Sequence, residues 1–402
     1  VDLLLITQLF PPESAAGANR TGAMADALAK RFKVRVATLE PGYPDAALYS
    51  TSDWRADDVA RGFAVSRRPA FRPHEASLVK RALREIDMSL SLVRSAQGPA
   101  DLVLVSTPSM FLAPAAWLAA RFRRARFVWD VRDLTWRYAQ ESVKTSGPQG
   151  AVLRVLEAFM LGLLRRSDLV IAATAGLADV LQRQGVPASR MITVPNGVSR
   201  TWLDACEPIA ATGPTSAERP RVTYVGLMGY NHGIGILIDV AAQLPHVDFV
   251  LVGDGPERPA IEQKLHDSSI TNLKLAGYVT DKTKLLEHYA ASNILVNHTR
   301  ATPILEQIVF PAKTFEYFAT GRPVVHAGRG WASDLLSARD VAEIVAPDDA
   351  AALAAGIERL LQEPTRARER AVRARELVRR EYCREQLLEK LVQELDQRFA
   401  RP

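Results

Sequence analysis

The sequence predicts an α/β protein of two Rossmann-like domains facing across a cleft. Three observations carry that reading. The chain has 402 residues, too many for one ordinary core and enough for two domains. Short β-branched or apolar runs alternate with longer helical patterns, as in parallel βαβ units. The alternation breaks at residues 206–220, a stretch of small residues with three prolines, and then restarts with a strand.

In the first half, strands are expected at residues 3–7, 34–37, 102–106, 127–131, 169–172 and 191–194, with helices at 17–30, 77–95 and 151–165. In the second half, strands are expected at 222–225, 249–252, 273–276, 294–297, 323–326 and 343–345. Helices follow at 234–244, 258–268, 282–291, 313–320 and 350–361. Residues 366–399 are helical and charged, long enough to leave the second domain and pack back on the first. The expected divisions are a first domain at 1–204, a linker at 205–220, a second domain at 221–380 and a returning helix at 381–402.

Hydrophobic residues make up 48% and charged residues 24%, a globular composition. The longest apolar stretch, 109–120, is interrupted by Pro114 and falls short of the roughly 18 residues a spanning helix needs. Residues 1–6 read as a first strand and not as a leader. Cys206 and Cys383 are far apart without metal-ligand spacing, which fits a reducing, cytoplasmic setting. Charge is uneven: residues 1–200 carry 27 Lys+Arg against 18 Asp+Glu, and residues 201–402 carry 24 against 27. A basic first half suits an anionic partner such as nucleic acid, a phospholipid surface or a pyrophosphate-bearing substrate; an Arg-rich composition alone also explains it.

The loop Phe10-Pro11-Pro12-Glu13-Ser14-Ala15-Ala16-Gly17-Ala18-Asn19-Arg20 lies where open α/β sheets place ligands. Gly17 lets a substrate approach the backbone, and the helix start favours an anion, although small residues serve any tight turn. The second half opens alike, with Tyr224-Val225-Gly226-Leu227-Met228-Gly229-Tyr230-Asn231-His232-Gly233-Ile234-Gly235. Four glycines between strand and helix make a diphosphate cradle of backbone N–H groups. No Gly-Lys-Ser/Thr follows, so this is not a Walker loop. His232 is either a donor to phosphate or an exposed loop residue. In Pro311-Ala312-Lys313-Thr314-Phe315-Glu316-Tyr317, Glu316 sits in the first turn of a helix. It is either a charge stabilised by the helix dipole or an acceptor for two vicinal ribose hydroxyls.

Asp133 follows the strand at 127–131, as a partner of Arg132 or Arg137 or as a functional carboxylate. No Asp-x-Asp and no cluster of metal-ligand spacing is present, so no metal and no other cofactor is expected. Two helical stretches mix apolar residues with basic ones: Arg72, Lys80, Arg81, Arg84 and Arg94 in the first, Arg154, Arg165 and Arg166 in the second. Each either lies on an anionic leaflet or packs on the sheet.

The segment from Pro311 through Glu316-Tyr317 to Gly321-Arg322-Pro323-Val324-Val325 resembles the donor site of retaining GT-B glycosyltransferases of family GT4. Phe10-Pro11-Pro12, Arg132-Asp133-Leu134, Pro195-Asn196-Gly197-Val198 and Val252-Gly253-Asp254-Gly255-Pro256 agree in order and spacing. The resemblance covers nearly the whole chain and is nearest to the bacterial branch that builds surface polysaccharides and O-antigen units on lipid carriers. It implies transfer of a sugar from a nucleoside diphosphate sugar such as a UDP-sugar to a hydroxyl acceptor, with retention of configuration. The implied catalytic residues are Asp133, Lys313 and Glu316. The implied donor site is Gly226, Gly229, His232, Gly277, Tyr278, Val279, Arg300, Ala312, Lys313, Thr314 and Glu316. Gly17, Asn19 and Arg20 form the acceptor or diphosphate loop.

Two departures stand out. The first of the family's two glutamates falls at Ile308, and its phosphate-binding Arg and Lys fall at Leu227 and His232. Lys313, Arg300 and Arg20 are the cations left to match the diphosphate. The resemblance further implies a lipid-linked or other saccharide acceptor, no nucleic acid, and work on the inner face of the cell membrane, peripheral to its anionic surface. A nucleotide-sugar 2-epimerase of the same fold, or a catalytically silent nucleotide-sugar-binding subunit, is the alternative.

Overall fold

The computed structural model describes residues 1–13, 15–43, 45–69, 78–142, 148–213 and 219–399. The chain forms two compact units, one of Val1–Asn196 with Glu385–Pro402, the other of Gly197–Arg384.

The first unit is built on seven parallel strands: β1 (Asp2–Thr7), β2 (Lys33–Leu39), β3 (Ala64–Arg68), β4 (Leu102–Thr107), β5 (Arg126–Val131), β6 (Leu169–Ala172) and β7 (Met191–Thr193). Their order is β3-β2-β1-β4-β5-β6-β7. The winding reverses between β1 and β4, and ligands of open α/β sheets bind at the carboxyl ends of strands flanking such a reversal. Central strands are buried on both faces, so β1 and β4 read as continuous apolar runs. The edge strand β3 was not expected. Its Ala-Val-Ser-Arg-Arg offers one partly buried apolar residue, Val65, too weak a pattern to signal a strand.

The second unit holds six parallel strands: β8 (Arg221–Val225), β9 (Asp248–Val252), β10 (Leu273–Gly277), β11 (Ile294–His298), β12 (Val324–Ala327) and β13 (Glu343–Val345). They run β10-β9-β8-β11-β12-β13, so this winding reverses between β8 and β11. Both units are therefore Rossmann-like.

Two boundaries differ from expectation. The stretch expected as a linker contains the helix Glu207–Thr212, and the second unit already begins at Gly197. Pro208 sits in the first turn of that helix, where its missing N–H interrupts no hydrogen bond. Leu203, Cys206 and Ile209 enter the second unit's core. Residues 214–218 of the expected linker lie outside the described residues. The stretch 366–399, expected to be helical, forms two helices, and the returning one starts at Arg384 where 381 was expected. Pro364–Glu381 gives Ala374, Leu377 and Val378 to the second unit's core. The chain then breaks at Tyr382 and Cys383, where Val198 N–H donates to the Tyr382 carbonyl and Arg384 N–H to that of Val198. Arg384–Phe399 follows and buries Leu388, Leu391 and Leu395 beside Leu3, Leu5 and Leu28 of the first unit, as the returning helix was expected to do.

Candidate functional site

The glycine loop leaves β8 at the winding reversal of the second unit. Gly226 N–H donates to the Val252 carbonyl at 2.9 Å and Met228 N–H to that of Asp254 at 2.8 Å, fastening the loop to the one after β9. The approach is so close that a Cβ on Gly253 would lie 1.9 Å from the Gly226 oxygen, at a φ of +143°. Only glycine fits there. Gly253 N–H in turn reaches the Gly277 carbonyl at 2.8 Å, so the Gly277-Tyr278-Val279 turn abuts the same loops. Gly229 lies within the loop, against the Leu227 side chain.

Two cations bracket this loop. A Cβ on Gly226 would stand 3.1 Å from Lys313 Nζ, and one on Gly233 would stand 2.7 Å from Arg300 Nε. Each of these glycines leaves room for one basic side chain against the backbone. Lys313 opens the helix Lys313–Ala319, with Ala312 at its N-cap. Its Nζ donates to the Tyr224 hydroxyl and lies 4.1 Å from the centroid of that ring. Tyr317 of the same helix donates to the Val225 carbonyl and accepts from Val225 N–H, both at 2.8 Å, which clamps the helix to the end of β8. Thr314 accepts from Asn297 Nδ2 at 3.0 Å. Burial pushes the Lys313 amine down to about 7, against the favourable pull of Glu316.

Glu316 lies one turn along that helix, half-buried. Burial raises its carboxyl, while Arg384 and Lys313 oppose the rise. It accepts no hydrogen bond from another described residue. Arg300 is held by Glu257 at 3.0 Å, and its own N–H donates to the Asn231 carbonyl of the glycine loop. His298 donates from Nδ1 to the His232 carbonyl and accepts at Nε2 from Asp348 N–H, which fixes it as a neutral ring. Burial, with the Lys313 charge, takes His232 down to about 3, so it adds no positive charge to the loop. Four buried polar atoms around these loops lack a hydrogen-bond partner: His232 Nδ1, Glu257 Oε2, Asn297 Oδ1 and Thr299 Oγ1. Buried polar groups are seldom left so, and these four are open to a polar ligand.

The structure thus brings together Gly226, Gly229, His232, Arg300, Ala312, Lys313 and Thr314, with the Gly277 turn alongside and Glu316 on the same helix. Tyr224, Glu257 and His298 were missed. The polar run Asn297-His298-Thr299-Arg300 after an apolar strand was the signal available for the last.

In the first unit Gly17 admits the Arg132 guanidinium, whose Nη1 would be 2.1 Å from a Cβ there. Asn19 is half-buried in the first turn of the helix Ala16–Leu28. Arg20 corrects an expectation. It is buried and forks onto Asp130, with Nε–Oδ2 at 3.0 Å and Nη2–Oδ1 at 2.6 Å, and reaches the Val194 carbonyl at 2.7 Å. Its hydrogens are spent inside the fold, so it is no reserve cation for a diphosphate. Asp133 is raised by burial against the pull of Arg132 and accepts from the Tyr138 hydroxyl at 3.4 Å. Arg137 pairs with Glu157 instead.

Of the basic helices, Arg72 and the Arg81 side chain lie outside the described residues. Leu83, Ile86 and Leu90 are exposed on the helix Leu78–Ser95, Leu118 and Phe122 on Leu112–Arg123, and Val152, Val155 and Phe159 on Pro148–Arg166. These three helices are neighbours. No helix of the described residues is long and apolar enough to cross a membrane.

Residues 219–363 match the family described as Glycosyl transferases group 1, and residues 16–197 match the Glycosyl transferase 4-like domain. The chain belongs to the glycosyltransferases of family GT4 with the GT-B fold. Glycogen synthase of Mycobacterium tuberculosis is 28% identical over 275 residues, covering 65% of this chain and 62% of that enzyme, so the chain spans less than two thirds of its length. Sucrose-phosphate synthase of Thermosynechococcus elongatus superposes with a TM-score of 0.74 at 18% identity, covering all of both chains. Anabaena HepE in complex with UDP and glucose superposes at 0.68 and 18%, covering 98% of this chain and 99% of that one. These two likenesses concern the fold.

Proposed function

We propose that the chain is a retaining glycosyltransferase that takes its sugar from a nucleoside diphosphate donor bound in the second unit. The observation that carries this reading is the glycine loop with a cation at each end, Lys313 at Gly226 and Arg300 at Gly233. A leaving diphosphate develops charge as the glycosidic bond breaks, and preorganised amides and cations stabilise it. Those two cations do the work the family's Arg and Lys would have done at Leu227 and His232, so the reaction runs without a metal. Glu316, which accepts no hydrogen bond from another described residue, takes the ribose hydroxyls, and the Gly277-Tyr278-Val279 turn flanks the base. Gly17, Asn19 and Asp133 of the first unit receive the acceptor hydroxyl. By family resemblance the anomeric configuration is retained, and with no carboxylate set as a nucleophile a front-face displacement is the route.

The acceptor we infer is a saccharide on a lipid carrier, in the manner of surface-polysaccharide enzymes. Its support is the exposed apolar side chains on three neighbouring helices of a basic first unit, a surface suited to the cytoplasmic leaflet.

The test is Glu316→Gln, with the donor first chosen by the nucleotide-sugar that most raises the melting temperature. A hydrogen bond to a charged group contributes about 1.5–3 kcal/mol, so donor affinity should fall roughly tenfold to over a hundredfold while the fold persists. Unchanged affinity by calorimetry would remove Glu316 from the site. Turnover should survive excess EDTA; a strict need for Mg²⁺ or Mn²⁺ would contradict the metal-free reading.

A further inference from the structure

We propose that Tyr224 is a positioning residue of this site, its hydroxyl joining the Lys313 side chain to the Leu227 carbonyl so that cation and glycine loop are set together. The inference rests on reading the loop as the diphosphate cradle. Tyr224 is fully buried near the end of β8. Its hydroxyl accepts from Lys313 Nζ and donates to the Leu227 carbonyl at 2.6 Å. The direction follows from chemistry. An ammonium only donates, so the hydroxyl accepts from it and gives its single hydrogen to the carbonyl. The ring adds a second hold, with Nζ 4.1 Å from its centroid. Gly226 is the opening through which the lysine reaches this place, since a Cβ there would stand 3.1 Å from both Cε and Nζ.

Leu227 is the loop residue at which the family carries a cation. Here its side chain is exposed and apolar, while its carbonyl is anchored by Tyr224. One tyrosine thus fixes the loop at that residue and holds the substitute cation beside it. The electrostatic consequence has a definite sign. Burial pushes the Lys313 amine down to about 7 against the pull of Glu316, with His232 beside it held neutral, and an acceptor at the ammonium works in the same direction as Glu316. Removing the hydroxyl while keeping the ring lowers the Lys313 midpoint further. Charge for the diphosphate is then present below that midpoint and lost as pH rises through it.

The test uses Tyr224→Phe, Lys313→Ala and the double variant in the full chain. Reductive methylation of Lys313 across pH, read by mass spectrometry, follows its titration without any ligand. The midpoint should be lower in Tyr224→Phe than in the wild type. With UDP-glucose as probe, whose diphosphate holds a fixed charge near neutrality, calorimetry should show about two- to tenfold weaker binding a pH unit above the wild-type midpoint. Most of that loss should be recovered a unit below it. In the Lys313→Ala background, Tyr224→Phe should cost less than in the wild type, leaving only the loss of the Leu227 anchor. A residue that only fills the core would weaken binding equally at every pH and in both backgrounds. An unchanged Lys313 midpoint, or an equal loss in both backgrounds, overturns the inference. Equal UDP-glucose affinity in the wild type and Lys313→Ala would instead strike the diphosphate reading, whatever the methylation profile shows.

Discussion

Arg20 and Lys313 read alike in the sequence, each a cation beside a glycine-bearing loop, and the structure uses them in opposite ways. Arg20 is fully paired, and Ser106 donates a further hydrogen bond to Asp130 at 2.7 Å. Removing one partner of a buried pair strands the other charge and costs about 3–5 kcal/mol. Asp130→Ala should therefore lower stability by that order in chemical denaturation and leave donor affinity unaltered, because the donor loop lies in the other unit. A change below about 0.5 kcal/mol would mean the pair is not structural. Lys313 has an acceptor and a ring but, among the described residues, no carboxylate at bonding distance, so its charge is open to the proposed ligand. Sequence cannot separate these cases. The carboxylate that claims Arg20 is 110 residues away, on β5.

At the scale of elements, the buried strands and the glycine loop were legible because their signals are local: apolar runs, and glycines between a strand and a helix. The missed features depend on contacts made elsewhere. Edge strand β3 is held by its backbone ladder to β2 and by Arg67, which forks onto Asp58 and reaches the Pro11 carbonyl. The helix Glu207–Thr212 exists because its Ile209 side has a core to enter. The helices Leu78–Ser95 and Pro148–Arg166, expected either to pack on the sheet or to lie on a leaflet, bury part of their apolar surface and leave part exposed. Met88, Leu92, Met160 and Leu164 are buried, while Leu83, Phe159 and their neighbours face out. Each Lys or Arg near an anionic surface contributes about 1 kcal/mol, screened by salt within roughly a Debye length. Co-sedimentation with anionic vesicles at low salt should be measurable and should fade as salt rises. Replacing Phe122, Phe159, Arg84 and Arg94 with Ser should abolish it without altering donor affinity. Equal, negligible pelleting with anionic and neutral vesicles would make a soluble acceptor the better reading.

For the whole molecule, the two-unit plan followed from length and from the restart of the strand-first pattern, and the winding reversals could be seen only once strands were paired. The chain leaves the first unit at Asn196, builds the second, and returns at Glu385. Both reversals lie beside the loops singled out from sequence, after β1 and after β8. The central claim is that a nucleoside diphosphate is held by the second reversal, between Lys313 and Arg300. Amide hydrogen exchange with and without saturating UDP tests it most directly. The account predicts slowed exchange at residues 226–235 and 312–316, where backbone N–H groups meet the phosphates, and no slowing at residues 16–20. Slowing confined to the first unit, with the glycine loop of the second unchanged, would contradict it.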